Sequence, residues 1–219
     1  MKLIAISLGM PHLHDLAGKP VSTGIYKHPV TGPVHAGVLG LAGDGQADLQ
    51  NHGGIYKAVY AYPFEHYAHW ARVLDRTDFV FGQFGENLTV EGLDEDTVFI
   101  GDVLRIGSVL FQVTQPRVPC SKLGARMRLP DFPKAFGESG RTGFYLRVLA
   151  EGTVETGAPI SRIENDPRRV SVREMMNLVQ FGIGDGELQR RALALPALTP
   201  GWHERLQMRV HQKEGQSSP

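Results

Sequence analysis

The sequence predicts a mainly β protein with some α-helix, in which a closed, barrel-like β domain is followed by a small domain of three short helices. Glycine makes up 26 of the 219 residues, and most of it lies before residue 160. Short runs rich in Val, Ile, Leu, Phe and Tyr separate these glycines, a pattern typical of β domains with many turns. After residue 165 the pattern changes to helix-capping motifs. We therefore assign residues 1–165 to the β domain, 166–212 to the three-helix domain and 213–219 to a disordered tail.

Seven segments of the β domain have the length and composition of strands. Several of them alternate between apolar and polar residues over part of their length, as the wall of a barrel or a sandwich does. In chain order the predicted strands are Leu3–Leu8, Val34–Leu39, Ala58–Tyr62, Asn87–Val90, Val103–Ile106, Val109–Thr114 and Phe144–Leu149.

Helices are predicted at two places within this domain. Pro63 suits the first position of a helix, and a second, shorter helix begins near Pro119. On the first helix, His66 and His69 have a spacing that can place two imidazoles on one metal ion, but no third ligand follows at a suitable distance. We therefore interpret them as two partly exposed histidines. The apolar residues that recur at helical spacing are Phe64, Tyr67, Ala71 and Leu74.

The three C-terminal helices are predicted from their first residues. Ser171 and Glu174 form a capping-box pattern, and Asp185 can cap a second helix. Thr199 and Pro200 open the third. None of these helices carries the spacing of a metal-ligand set.

Composition excludes several classes of protein. Lys and Arg together number 23, and so do Asp and Glu, so stable nucleic-acid binding is not expected. No run of about 18 apolar residues is present, so a membrane span is not expected. The single cysteine, Cys120, cannot form an internal disulfide, and a lone thiol is more natural in a reducing compartment. The expected location is the cytoplasm.

Common cofactor motifs are also missing from the sequence. An Fe–S cluster normally takes four cysteine ligands, and this chain has one. The glycine-rich phosphate loops of nicotinamide and nucleoside-triphosphate sites are not found, and neither is the nucleophile elbow of serine hydrolases.

Cys120 is the most reactive candidate in the sequence. Arg117 and Lys122 lie close to it, and Pro119 stands at a plausible helix start. Cationic neighbours and a helix N-terminus both favour the thiolate, which ligates metals and attacks electrophiles. Inert burial of a lone cysteine is the alternative.

Polar residues elsewhere could converge on one ligand. The loop of residues 43–54 carries Asp48 and His52, although it also reads as a hairpin connection with solvated side chains. Glu86 and Asn87 stand at a strand entry, where ordinary turn chemistry would also explain them. Four cations could together bind one anionic ligand through charge-assisted hydrogen bonds: Lys57, Arg117, Lys122 and Arg141.

Taken together, four ordered stretches resemble the MOSC family, named for the C-terminal domain of molybdenum cofactor sulfurase. The resemblance is closest to the stand-alone bacterial YiiM-like branch, and it continues through the three-helix segment to cover nearly the whole chain. The stretches are Gly43–Tyr62, Phe84–Leu93, Gln115–Gly124 and Gly140–Leu149.

The resemblance implies a barrel-like domain that binds the molybdenum cofactor, with Cys120 as the protein ligand to molybdenum. Members of this branch are similar to enzymes that reduce N-hydroxylated compounds, including hydroxylaminopurine bases, and the resemblance also leaves pyridoxal phosphate binding open. Asp48 or His52 is then the candidate for the proton path. Electrons are expected from a separate reductase, because the chain has no flavin, haem or Fe–S signature. The residues expected to bind the cofactor are Lys57, Arg117, Lys122, Arg141, Asn87 and Glu86.

One position departs from the family pattern, and two other functions stay open. Tyr56 stands where the resemblance leads us to expect aspartate. A cofactor-free cysteine hydrolase or transferase would use Cys120 as nucleophile and His52 as base. A non-catalytic carrier of the molybdenum cofactor would keep the same pocket without turnover. The expected small-molecule partner is the N-hydroxylated substrate, and a homodimer is compatible with the sequence.

Overall fold

The structure, a computed structural model, describes residues 1–16, 18–48 and 53–216, with side chains as far as residue 210. The described part is mainly β with six α-helices, in agreement with the predicted fold class. Its strands are β1 (Lys2–Leu8), β2 (His12–Leu16), β3 (Lys19–Thr23), β4 (His28–Val30), β5 (Val34–Gly37), β6 (Gly40–Leu41), β7 (Val59–Pro63), β8 (Leu88–Glu91), β9 (Val103–Ile106), β10 (Val109–Pro116), β11 (Phe144–Ala150), β12 (Gly152–Val154) and β13 (Ile160–Glu164).

Eight strands form the main sheet, in the order β13-β9-β10-β11-β7-β8-β1-β4. Neighbours in this sheet are antiparallel except β7 and β8, which are parallel. A smaller sheet contains β12, β5 and β6, and β2 and β3 form a two-stranded sheet. The longest ladder joins β10 to β11, and the functional site described below lies where that ladder ends.

Backbone hydrogen bonds also join the two sides of the main sheet. The Leu3 amide donates to the Ala158 carbonyl at 2.9 Å, and the Leu3 carbonyl accepts from the Gly157 amide at 2.8 Å. The Ile160 amide donates to the Met1 carbonyl at 3.0 Å. These bonds bring β1 against the segment that leads into β13, so the wall is joined on itself in a barrel-like way.

Each of the seven predicted strand segments overlaps an observed strand, and most differ from it by one or two residues at an end. The prediction for 34–39 was too long, because the chain turns after Gly37 and pairs β5 with β6. The strands that were not predicted are short or largely exposed. In the β2–β3 ribbon, for example, only Thr23 is buried, so no apolar alternation marks it.

The six helices are α1 (Glu65–Leu74), α2 (Ser121–Met127), α3 (Phe132–Glu138), α4 (Val172–Met176), α5 (Gly186–Leu193) and α6 (Pro200–Gln216). A 3₁₀ turn covers Ile55–Lys57, and a π-helical turn follows α4 at Asn177–Phe181. None of the described helices is long and apolar enough to cross a membrane.

Two predictions for the first helix are corrected. Pro63 is the last residue of β7, because its strand continues in register with Val90 and the helix begins only at Glu65. His66 is buried, because its Nε2 lies 2.7 Å from the Glu95 carboxylate, which also accepts the Gly143 amide at 2.6 Å. This network ties α1 to the turn before β11.

The capping residues of the C-terminal helices are confirmed. The Ser171 hydroxyl accepts the Glu174 amide at 3.0 Å, and the Glu174 carboxylate accepts the Ser171 amide at 2.7 Å. The Asp185 carboxylate accepts the Leu188 amide at 2.8 Å. α6 extends to Gln216, into the segment 213–219 that was predicted to be a tail.

Two clusters of buried apolar residues pack the helices against the main sheet. The larger one joins the inner face of the sheet to the C-terminal helices, which contribute Met175, Leu178 and Leu206. The smaller one is aromatic and packs α1, α2 and α3 against β7, with Tyr62, Trp70 and neighbouring rings. The C-terminal helices therefore share a core with the sheet, and the proposed domain boundary at residue 166 marks a change in sequence pattern.

This shared core predicts a large cost for truncating Leu206, which is only 1% exposed. We expect Leu206→Ala to lower the free energy of unfolding by about 2–5 kcal/mol, the usual cost of a buried leucine cavity. Denaturant unfolding measures it. Met208→Ala is the matched control, because Met208 lies on the same helix and is 57% exposed. Equal effects of the two substitutions would show that α6 does not pack on the sheet.

Candidate functional site

A cavity opens beside the C-terminal end of β10. The space between its walls, including the open mouth, is about 580 Å³. We call it the first cavity. Its lining residues are Thr23, Gly24, Ile25, Lys27, Asp44, Gly45, Gln46, Lys57, Tyr60, Gly85, Asn87, Arg117, Cys120, Lys122 and Tyr145.

Cys120 is half-buried and lines this cavity. The chain leaves β10 at Pro116 and enters α2 at Ser121, so Cys120 is the residue that caps the helix. Its carbonyl accepts the Leu123 amide at 2.9 Å, and its own backbone is extended. The sequence around Cys120 thus folds as predicted, into a strand end followed by a helix start.

Arg117 lies deeper and is only 5% exposed. Its guanidinium carbon lies 5.0 Å from the centre of the Tyr60 ring and 5.5 Å from that of Phe136. Its Nη1 atom is buried and has no hydrogen-bond partner among the residues that the structure describes. A buried cation needs a compensating charge or acceptor, so this geometry favours an anionic ligand.

The Arg117 guanidinium stays protonated in this buried position. Burial lowers its pKa, but the negative charges that Tyr60, Tyr145 and Cys120 carry when deprotonated raise it more, so the pKa lies above its usual value. Burial also raises the pKa of Tyr145, and Arg117 opposes that rise. At neutral pH the cavity wall therefore carries a fixed guanidinium beside two neutral phenols.

An ion pair that the sequence did not suggest lies in the cavity floor. Lys27 and Asp44 form it, and both side chains are more than nine-tenths buried. Asp44 also accepts the Gly9 amide at 2.8 Å and the Asn87 amide nitrogen at 2.9 Å. Burial lowers the pKa of Lys27 and the Asp44 carboxylate opposes this, so the pair compensates itself.

Asn87 lines the first cavity, but its side chain is engaged by the protein. Its Oδ1 accepts the Tyr60 amide at 3.1 Å, while its Nδ2 donates to the Asp44 carboxylate and to the Ser7 carbonyl at 3.3 Å. Asn87 therefore fixes the position of Asp44 and of β7 beneath the cavity.

A second cavity adjoins the first, and the space between its walls, including its open mouth, is about 1,320 Å³. Lys57, Cys120 and Tyr145 line both cavities. One wall of the second cavity comes from α6, and the other lining residues come from the β domain. They are Gly53, Gly54, Ile55, Tyr56, Gln115, Val118, Pro119, Thr199, Gly201, Trp202 and Arg205.

Lys57 stands at the junction of the two cavities. The Gln46 side chain donates to its carbonyl at 3.2 Å, which fixes the end of the 3₁₀ turn. Burial lowers the pKa of Lys57, the positive charge of Arg205 lowers it further, and Asp48 opposes both. The C-terminal helix thus acts electrostatically on a residue of the β domain.

With this geometry in view, comparison with known proteins identifies the family. Residues 48–161, more than half of the chain, match the MOSC domain. The chain belongs to the MOSC domain family. It is 39% identical over 200 residues to the uncharacterized protein YflK of Bacillus subtilis (strain 168), covering 91% of this chain and 90% of that protein.

Two further relatives bear on this MOSC protein. It matches the crystal structure of YiiM from Geobacillus stearothermophilus with a TM-score of 0.80 and 36% identity, over 95% of this chain and 98% of that one. It is 34% identical over 166 residues to a protein of Gibberella moniliformis named reductase. That match covers 74% of this chain and only 29% of the fungal protein.

The structure brings together five of the site residues predicted for this MOSC protein, and it separates others. The first cavity contains Cys120, Lys57, Arg117, Lys122 and Asn87. Asp48 is half-buried and acts on the pKa of Lys57, but it does not line either cavity. His52 lies outside the described residues.

The structure does not support a cofactor-binding role for Glu86. Its carboxylate is fully buried and accepts hydrogen bonds from the Tyr67 hydroxyl, the Gly82 and Phe84 amides at 2.9 and 3.0 Å, and the Thr89 hydroxyl at 3.1 Å. The Glu86 carboxylate therefore stabilises the loop that contains it. A turn residue next to a strand gives no sign in sequence of which way it faces.

Arg141 is also placed away from both cavities. Its carbonyl accepts the Tyr62 hydroxyl at 3.2 Å, and its amide donates to the Ser139 hydroxyl at 3.0 Å. Its charge contributes to lowering the pKa of His69 on α1, after the effect of burial. The tight turn was predicted correctly, but it directs this cation toward α1.

Sequence reasoning missed several residues of the MOSC site. Tyr60 and Tyr145 are paired across β7 and β11, and no local motif announces that pairing. Lys27 and Asp44 are seventeen residues apart and meet only in the fold. Arg205 lies on a helix that the sequence did not connect with the site.

The buried ion pair predicts a specific destabilisation. Asp44→Asn should lower the free energy of unfolding by about 3–5 kcal/mol, because it leaves the Lys27 ammonium buried without its carboxylate. Chemical denaturation at neutral pH measures this. The control is Asp78→Asn, because Asp78 pairs with Arg76 at the surface and is 68% exposed. A loss no larger than that of the control would contradict the assigned role.

The junction predicts a measurable electrostatic coupling. Arg205→Gln removes a positive charge that disfavours the Lys57 ammonium, so the pKa of Lys57 should rise. NMR titration of the Lys57 side-chain signals measures it. Arg209→Gln, on the same helix, should leave that pKa unchanged, because the Arg209 guanidinium donates to the Gln180 carbonyl. An unchanged or lower pKa in Arg205→Gln would place Arg205 away from Lys57.

Proposed function

We propose that this MOSC protein binds the molybdenum cofactor in the first cavity and reduces N-hydroxylated compounds, hydroxylaminopurine bases among them. Electrons come from a separate reductase, and the reaction takes place in the cytoplasm. The observation that carries the proposal is the neighbourhood of Cys120. A cysteine shares one cavity with Arg117, whose buried Nη1 lacks a partner among the described residues, and with three lysines.

The chemistry of these residues fits the cofactor. A soft cysteine thiolate suits a metal that already has sulfur ligands, and it supplies the protein ligand in this proposal. The cofactor also carries a phosphate, which needs fixed cations. Arg117 and Lys122 would hold that phosphate through charge-assisted hydrogen bonds, and the orphaned Nη1 of Arg117 would gain the acceptor that it lacks.

When bound, the molybdenum cofactor would supply the two-electron chemistry, and the protein would supply position and protons. Reduction of N–OH to N–H consumes two electrons and two protons and releases water. Lys57 holds a proton on its Nζ at the junction of the two cavities, and its lowered pKa makes that proton easier to give up. The charge of Asp48 raises the pKa of Lys57, and Asp48 is the candidate group that returns a proton to Lys57. Tyr60 and Phe136 keep water away from the Arg117 guanidinium.

The comparisons support the coarser part of this proposal. The MOSC family is associated with binding of the molybdenum cofactor. One relative is named reductase, although this chain spans only 29% of it, so that name bears on this chain as a suggestion about its chemistry.

The proposal is tested by producing the protein in a host competent for cofactor synthesis and in a host that lacks it. The first preparation should contain molybdenum and pterin and reduce a hydroxylaminopurine base when a reductase is supplied. The second should do neither. Bound molybdenum without turnover would favour a carrier. Turnover of an ester or amide by protein without molybdenum would favour the cysteine hydrolase.

Cys120→Ser should abolish molybdenum-dependent turnover and leave the fold intact, because a hydroxyl has nearly the size of a thiol but is a poor soft ligand. Reductase assays and thermal unfolding measure the two effects. Ser121→Ala is the control, because Ser121 is the exposed neighbouring residue. Wild-type turnover in Cys120→Ser would show that the cysteine is not a ligand.

A further inference from the structure

The second cavity differs from the first in the nature of its walls. Ile55, Val118 and Pro119 give it apolar surface, and Tyr56 and Trp202 add aromatic rings. Trp202 is 4% exposed and belongs to the main core, so this wall is firmly held. Apolar and aromatic walls with a few polar groups are typical of sites for flat organic molecules.

The charge of the second cavity is positive. Lys57 and Arg205 line it, and none of its described lining residues is Asp or Glu. Arg205 is exposed, and its side chain forms no hydrogen bond or ion pair with any residue that the structure describes. Thr199, which precedes the 17-residue helix α6, and Gly201 in its first turn also lie in this wall, which adds the positive end of the helix dipole.

A buried acceptor lies on a residue that lines the same cavity. Gln115 is 3% exposed, and its Nε2 donates to the Pro116 carbonyl at 3.3 Å. Its Oε1 is buried and has no hydrogen-bond partner in the described part of the chain. A buried acceptor without a partner costs free energy, and an N–H or O–H group of a ligand would satisfy it.

We propose that the second cavity binds the substrate, and that this substrate is a flat compound with an anionic group and a hydrogen-bond donor. Arg205 pairs with the anionic group, and Gln115 accepts a hydrogen bond from the N–H or O–H. The cavity shares Cys120 and Lys57 with the first cavity, so a compound bound there adjoins the proposed metal ligand. Arg205 is thus a specificity-determining residue.

This inference rests on the proposed function in one respect only, namely that the compound bound in the second cavity is N-hydroxylated. In that case it points to hydroxylaminopurine nucleotides in preference to the free bases, because a nucleotide carries a phosphate and a base does not. A carboxylate has the same recognition chemistry, so both anions are included in the test.

The binding test uses metal-free protein and does not depend on activity. Isothermal titration compares adenosine 5′-monophosphate with adenosine, and 4-aminobenzoate with aniline. We expect at least one anionic probe to bind roughly tenfold more tightly than its neutral counterpart, the effect of one charge-assisted contact. The pair that shows the preference identifies phosphate or carboxylate as the anion.

Three variants assign that preference to residues. Arg205→Gln should remove it, whereas Arg209→Gln on the same helix should keep it. Gln115→Met should weaken the anionic probe and its neutral counterpart by a similar factor. The inference is overturned if neither anionic probe is preferred, or if Arg205→Gln keeps the preference.

Kinetics on the cofactor-loaded protein then separate this inference from the proposed function. The N-hydroxylated nucleotide should have a higher kcat/KM than the N-hydroxylated base, and Arg205→Gln should raise KM for the nucleotide with little change in kcat. Equal kcat/KM values would reject the anionic substrate and leave the reductase proposal standing. Arg205-dependent binding without any reduction would reject the reductase proposal and leave the binding site standing.

Discussion

The burial of the Arg117 guanidinium is the constraint on which the site depends. Three elements fix it: its amide donates to the Gly143 carbonyl at 3.2 Å, the Tyr60 ring of β7 lies on one side, and Phe136 of α3 lies on another. No described residue accepts a hydrogen bond from its Nη1. A protein tolerates such a buried charge when something else completes it, so the cavity beside Arg117 is physically suited to an anion. In the neighbouring Lys27–Asp44 pair, by contrast, the Asp44 carboxylate of the protein itself compensates the buried Lys27 charge.

Cys120 is the reactive group of this arrangement, and it lines both cavities where they meet. One side of it offers fixed cations for a phosphate-bearing cofactor, and the other offers apolar walls, Arg205 and a buried acceptor on Gln115. One wall of the second side is formed by α6, which packs against the β domain through a shared core. The C-terminal helices therefore contribute to the second cavity, although the proposed metal ligand, Cys120, lies outside them.

Much of the fold could be predicted from the sequence, and the site only in part. Long apolar strands such as β1 and β11 and the caps at Ser171 and Asp185 are local signals, and they were predicted correctly. The exposed β2–β3 ribbon has no such signal. Glu86 shows a further limit, because its neighbours in sequence reveal a turn but not the direction of the side chain. Arg205 could not be connected with the site, because its position depends on how α6 packs on the sheet.

The central claim, that Cys120 is a protein ligand to molybdenum, can be tested most directly by X-ray absorption at the molybdenum edge. The measurement compares cofactor-loaded wild-type protein with Cys120→Ser protein reconstituted with the same cofactor. The account predicts one fewer sulfur neighbour around molybdenum in the variant. The same number of sulfur neighbours in both proteins would contradict it.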